Sequence, residues 1–274
     1  MSEVILVYLS QPQTAPQLLW AAEAITRAVG HVRFEVMAIR IPPEATILPT
    51  EQILSQEDCA RIRRKEADRT EYLRRIYDRW TREIADVGHH SDWIDIEGLA
   101  GWEVARRGIT ADLIVIDRLP KPINQLAKDV AHAALFDCHR PVLVIPPGLR
   151  RGGTLGEHVA IAWKDDGRAI KAVIPAMRYF SGAKDTMALM GYRGSDPPAD
   201  LPQPLVEREI DARLCPVAIG SDPFGQTLLE RAQGLGADIL VMGAYAHNPL
   251  QEMLFGGVTR YVLHHAELPV LMRH

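Results

Sequence analysis

Residues 237–274 read ADILVMGAYAHNPLQEMLFGGVTRYVLHHAELPVLMRH, and residues 111–147 read ADLIVIDRLPKPINQLAKDVAHAALFDCHRPVLVIPP. Both stretches run Ala-Asp, an apolar run of strand length, a polar turn, a helical pattern and then Pro-Val-Leu. Asp112 and Asp238 stand 126 positions apart, and Pro141 and Pro269 stand 128 apart, so the later copy holds two more residues between strand and helix. A repeat of this length is the size of a domain, which indicates two copies of one domain rather than a solenoid.

Working outward, each copy opens on a short buried-strand run, VILVYLS at 4–10 and VAIAW at 159–163, followed by a helical pattern at 14–29 and 169–180. The first half is read as strands at 4–10, 32–40, 92–96, 113–117 and 142–145. Its helices are placed at 14–29, 51–87, 101–107 and 123–136; the long one carries Leu73, Ile76, Trp80, Ile84 and Val87 at spacings of three and four. The second half is read as strands at 159–163, 186–192, 217–219, 239–242 and 270–272, with helices at 169–180, 224–235 and 250–265. A short helical remnant is placed at 205–213 and a Pro-rich exposed loop at 196–204. Runs such as LIVI and ILVM, without alternation, suit strands covered on both faces, and strands alternating with helices imply parallel pairing with right-handed crossovers. The expected fold is therefore α/β, two tandem Rossmann-like domains at 1–150 and 154–274, each with a five-stranded parallel sheet flanked by helices. RRGGTLGEH at 150–158, rich in glycine and without apolar periodicity, is the linker. The final strands of the two halves, 142–145 and 270–272, are candidates to pair with each other within the chain.

The bulk properties bound the function. Of 274 residues, 47% are apolar and 24% charged, ordinary values for a globular protein. A net charge of −4 supplies no basic surface for nucleic acid or for an anionic membrane. Cys59, Cys138 and Cys215 are few and far apart, which argues against a disulfide framework and fits a reducing cytoplasm. The opening MSEVILVYLSQ has no basic region and no cleavage site of signal-peptide type, and no apolar run approaches a membrane span.

The residues with chemistry lie where strand 239–242 ends. Met242 and Gly243 are followed by Ala244, Tyr245, Ala246 and His247, and after Phe255 come Gly256, Gly257, Val258 and Thr259. Glycine lets the chain turn off a strand and lets backbone N–H groups approach a phosphate at a helix start. At the end of the strand 159–163 stand Trp163, Lys164 and Asp165, with Asp166 next.

This stretch resembles the universal stress protein family, whose nucleotide-binding members carry Gly-x2-Gly-x9-Gly followed by Ser or Thr. The phrase from Asp238 to Met272 resembles the family along its whole length, and the likeness extends to both halves. The resemblance implies five-stranded Rossmann-like domains of the adenine nucleotide alpha hydrolase-like type. It further implies a cytoplasmic stress-response regulator, an adenine nucleotide such as ATP as cofactor, and dimeric self-association through the last strands or helices. The nucleotide site it implies comprises Trp163, Lys164, Asp165, Met242, Gly243, Ala246, His247, Gly256, Gly257, Val258 and Thr259.

Ala246 stands at the family's second glycine, where a left-handed backbone would cost about 1–2 kcal/mol. Gly257 stands where Ser or Thr would be, with Thr259 as a partial substitute, and Lys164 lies nearest the usual acid. In the first half Asp117 replaces the first glycine and Ala131 or Ala133 falls where the later one would, so that half is not expected to bind ATP in the family manner. The alternative function is a nucleotide-free scaffold acting through protein contacts. A hydrolase in the same crevice lacks a nucleophile–base pair, so no enzyme activity beyond weak ATP hydrolysis is expected. His247, His264, His265 and His274 lie in or near one segment, but without a recognised ligand spacing they are read as ordinary histidines, and no metal site is expected. Asp222, before Pro223, is read as a helix cap, and the charge run 61–71 as a solvated helix face.

Overall fold

A computed structural model of the chain describes residues 2–46, 54–84, 89–164, 167–244 and 257–274. Among the described residues, ten strands form one sheet in the order β3-β2-β1-β4-β5-β10-β9-β6-β7-β8. In the first half the strands are β1 (Glu3–Tyr8), β2 (Val32–Arg40), β3 (His90–Glu97), β4 (Leu113–Asp117) and β5 (Val142–Ile145). In the second they are β6 (His158–Trp163), β7 (Asp185–Tyr192), β8 (Arg213–Ala218), β9 (Ile239–Gly243) and β10 (Val270–Arg273). Every pairing within a half is parallel. Each half is thus a doubly wound five-stranded unit, one the mirror of the other in strand order. The exception is the seam, where β10 runs antiparallel to β5 with Val270, Leu271 and Met272 opposite Val144, Leu143 and Val142. The last strands do pair within the chain, and their edges are used up there; β3 and β8 are the outer strands of the sheet.

Helices cover both faces. α1 (Ala15–Ile25), α2 (Gln56–Ile84) and α5 (Arg168–Met177) lie on one side, and α3 (Ala100–Gly108), α4 (Gln125–His132), α7 (Phe224–Gly234) and α8 (Gly257–His265) on the other; α6 (Gln203–Val206) is a single turn. Alternate residues of one strand feed the two cores: Ile5 and Val7 join the first, Leu6 and Tyr8 the second. Burial on both faces explains why the runs VILV, LIVI and ILVM lack a polar alternate.

The repeated Ala-Asp has a structural meaning. Asp112 Oδ2 accepts from the Val4 N–H at 2.9 Å, tying the start of β1 to β4. Asp238 does the same for β6 and β9 with both oxygens, accepting from Gly156 N at 2.9 Å and Glu157 N at 3.0 Å. Gly156 has φ 86, and a Cβ there would meet the Phe180 ring at 2.6 Å, so this tie requires glycine.

Some expectations change. The remnant at 205–213 is one turn, Gln203–Val206; Glu209 takes the left-handed φ of 53, which ends helical continuation, and Arg213 already belongs to β8. The helix at 123–136 begins after Asn124, and its last part is a π-turn, Ala133–Asp137. Asp222 does not cap α7, whose N-cap is Pro223 with no side-chain bond. The ends of the long helix at 51–53 and 85–87, and the first part of the helix placed at 250–265, lie outside the described residues.

Candidate ligand-binding site

In a doubly wound sheet, ligands sit outside the carboxyl ends of the strands, where the strand order reverses. This sheet has two such points, between β1 and β4 and between β6 and β9.

At β6/β9, Ala162 is paired with Met242, so Trp163 and Lys164 emerge beside Gly243. Met242 is buried, Gly243 partly exposed and Lys164 exposed. The Trp163 indole Nε1 is shut off from solvent and has no hydrogen-bond partner among the described residues. Gly257, Val258 and Thr259 open α8, which leads back to β10; Thr259 is buried and Val258 packs on the core. Gly257 is exposed, and a Cβ added there meets nothing within 4 Å, so close packing among the described residues does not explain this glycine. Asp165, Ala246, His247 and Gly256 lie outside the described residues.

At β1/β4 there is a cavity of about 500 Å³. Its volume falls within the range of small-molecule sites, roughly 300–1,000 Å³. Tyr8 and Ser10 reach it from the end of β1, Asp117 and Arg118 from the end of β4, and Leu126, Ala127 and Val130 from α4. Ser10 Oγ donates to Asp117 Oδ2. Asp117 Oδ1 is closed to solvent without a hydrogen-bond partner. Burial pushes the Asp117 carboxyl above its ordinary value, against the hydroxyls of Ser10 and Thr14, which favour its ionised form. Burial likewise pushes the Tyr8 phenol well up, so it stays protonated.

Two supports hold this floor. Arg69, on α2, donates to Ser10 O at 2.9 Å and Ile39 O at 2.6 Å, satisfying carbonyls at the ends of β1 and β2. It is held by Glu66 at 2.8 Å, which also accepts from Ile41 N at 3.0 Å. Burial pushes the Glu66 carboxyl up, but the bonds from Arg69 and Ile41 outweigh it and hold the carboxyl below its usual value. On the outer side, Arg118 Nη1 donates to His264 O at 2.6 Å, so the loop after β4 rests on the carboxyl end of α8, in the other half. Burial lowers the His264 imidazole, and Arg260 adds to the shift.

The sequence reading concentrated on the glycine positions of the second half and set the first half aside because of Asp117. The rule of strand-order reversal applied equally to both halves and pointed to Ser10 and Asp117 together.

Among the described residues no group of three His, Cys, Asp or Glu could hold a metal, and no helix is long and apolar enough to cross a membrane. Cys59, Cys138 and Cys215 are free; burial raises the Cys138 thiol to about 11, so it is held as an unreactive thiol.

The fold defines a class: a doubly wound α/β protein of two mirrored halves, each with a point of strand reversal, the first of which opens on a cavity. The family model of the universal stress protein family matches residues 207–274, from before β8 to the end of β10. Among solved structures, the chain is similar to a universal stress protein from Archaeoglobus fulgidus DSM 4304, with a TM-score of 0.69 at 16% identity, covering 100% of this chain and 96% of that one. It is also similar to a Pseudomonas aeruginosa UCBPP-PA14 protein assigned to the universal stress proteins, with a TM-score of 0.61 at 15% identity, covering 100% and 93%. A functionally unknown protein from Pseudomonas aeruginosa PAO1 aligns with a TM-score of 0.59 at 16% identity, covering 99% and 92%. No curated protein matches the sequence. The likeness to the universal stress protein family in sequence thus lies in residues 207–274; along the rest of its length, what the chain shares with these structures is the fold.

Proposed function

We propose that the protein is a cytoplasmic stress-response regulator that binds an adenine nucleotide at the β6/β9 reversal of its second half, without turnover beyond weak ATP hydrolysis. The observation that carries this reading is that the family match covers β9 and α8, with Gly243 beside Trp163 and Lys164 at the carboxyl ends of adjacent strands. Gly243 lets the backbone turn there; Lys164 offers a cation to phosphate and the unpartnered Trp163 N–H a donor. A helix start such as that of α8 favours negative charge. Nucleotide occupancy would then alter the surface presented to partners.

Calorimetry of the full chain with ATP, ADP and AMP tests the reading. Saturable heat is expected, weakened at least about tenfold by Gly243→Val, a loss of roughly 1.4 kcal/mol. Absence of heat at about millimolar ligand, equivalent to roughly −4 kcal/mol, overturns it and favours the nucleotide-free scaffold, which needs no ligand at either crevice.

A further inference from the structure

Seven large apolar side chains stand exposed among the described residues, and three of them, Leu99, Trp102 and Ile109, belong to α3 and its caps. Tyr72, Ile123, Ile174 and Val206 lie singly elsewhere, as surface apolar residues commonly do. Leu99, Trp102, Arg106 and Ile109 follow one another at spacings of three, four and three, which sets them along one face of the helix. Ala100, Val104 and Gly108 are buried, so the face that packs on the protein is a different one. Trp102 is 61% exposed, Leu99 58% and Ile109 54%; burial of this stripe would recover the hydrophobic free energy that its exposure forfeits.

Trp102 is held ready for such burial. The Arg106 guanidinium lies over its indole at 5.4 Å, and the buried Glu103 fixes that guanidinium at 2.6 Å. An anchor ordered in advance loses little freedom on binding, and Trp and Arg are enriched where interfaces concentrate their energy.

The two ends of the stripe carry opposite charge. Beside the start of α3 stands Asp129 of α4: a Cβ on Gly101 would lie 3.2 Å from the Asp129 Cβ. Asp129 is exposed, accepts from Gln125 at 2.7 Å and has no cation partner among the described residues. Beside the end of α3 stands Arg140, which donates to Ile109 O at 2.6 Å and pairs with no acid among the described residues. A second copy turned by a two-fold axis across the stripe satisfies both ends at once. The two α3 helices then run antiparallel, Trp102 packs by the partner's Ile109, and Asp129 and Arg140 face the partner's Arg140 and Asp129. Opposed helix ends match in the same arrangement. The last strands are already paired with each other at the seam and offer no edge to a second chain.

We propose that the exposed face of α3 is an isologous dimer interface whose occupant is a second copy of this chain. One short helix with a polar rim is small beside stable interfaces of roughly 1,200–2,000 Å², so a reversible dimer with a Kd on the order of 10 μM is expected. None of the stripe residues lines the β1/β4 cavity, and the interface is independent of ligand there.

Sedimentation equilibrium of the full chain from about 1 to 300 μM, a range that brackets such an affinity, tests this. The variants are Trp102→Glu, Asp129→Arg, Arg140→Asp and the double exchange Asp129→Arg with Arg140→Asp; circular dichroism confirms that each is folded. The wild type is expected to dimerise reversibly. Trp102→Glu and each single reversal should weaken the dimer about tenfold or more, since the reversals set like charges together. The double exchange restores both pairs with signs swapped and should recover affinity to within about threefold. An equimolar mixture of the two single reversals should recover it likewise, as a mixed dimer. Arg140→Asp also loses the bond to Ile109 O, but the double exchange loses it too, so recovery isolates the charge pairing. A wild type that stays monomeric throughout overturns the proposal and leaves the face to a different partner. The proposal also fails if Trp102→Glu leaves the dimer unchanged, or if neither the double exchange nor the mixture recovers affinity.

Discussion

Removal of the two repeated aspartates should destabilise the halves unequally, and the inequality follows from their hydrogen bonds. Asp238 spends both oxygens on backbone donors, Gly156 N at 2.9 Å and Glu157 N at 3.0 Å, whereas Asp112 spends one on Val4 N at 2.9 Å. A hydrogen bond to a charged group contributes about 1.5–3 kcal/mol net. These bonds are partly buried, so water can replace part of the loss, and the lower figure applies. Asp238→Ala should therefore cost about 3 kcal/mol and Asp112→Ala about 1.5 kcal/mol. For a chain of this size each kcal/mol lowers Tm by about 2–4 °C, giving drops of roughly 6–12 °C and 3–6 °C. The two sites lie in different halves and share no partner, so the double variant should lose the sum to within about 0.5 kcal/mol. Thermal and urea denaturation of the two single variants and the double variant measure all three quantities. Equal costs, or an Asp238→Ala cost below about 0.5 kcal/mol, typical of a surface substitution, would refute the idea that the repeated acid is a strand clip.

Asp117→Asn should stabilise the ligand-free protein at neutral pH. Burial raises the folded pKa of this carboxyl above 3.8, so the folded state holds its proton longer than the unfolded state. The penalty is complete above the folded pKa and disappears as pH falls to 3.8 and below; the advantage of Asn should shrink along the same course, and an advantage that grows toward acid would contradict the assignment. Gly225→Ala sets two effects against each other: helix propensity gains about 1 kcal/mol, but the new Cβ would stand 2.7 Å from Tyr261 Cβ on α8, an atom next to backbone that cannot swing aside. Overpacking of about 1–3 kcal/mol should win, lowering the urea midpoint; a raised midpoint would show that α7 and α8 can separate freely.

Much of the fold was legible because its signals are local. Apolar runs without alternation marked strands covered on both faces, and β2, β4 and β5 have the expected bounds. The repeat also predicted the seam, since each half ends on a strand whose outer edge needs a partner. Elements without such a pattern were misplaced: the turn at Gln203–Val206 is cut short by local backbone geometry, and the cap of α7 follows from Pro223 rather than the neighbouring acid. The candidate site was legible only as a set of positions. Gly243, Trp163 and Lys164 were singled out as candidates through the family resemblance, and strand pairing sets them side by side. Asp117 was read only as a missing glycine, because its second oxygen acquires meaning from Ser10, 107 residues away.

The repeat at 111–147 and 237–274 by itself determined that the chain is built from two like α/β halves and where their strands lie, because strand and helix periodicities are written in adjacent residues. Only the tertiary structure decided what the repeated residues do. The Asp of each Ala-Asp became a clip on the opening strand of its own half, and the last residues of β4 and β9 became unlike floors of like crevices. Those roles depend on side chains brought together by parallel pairing across 80 residues or more, distances over which no spacing in a single sequence carries the contact.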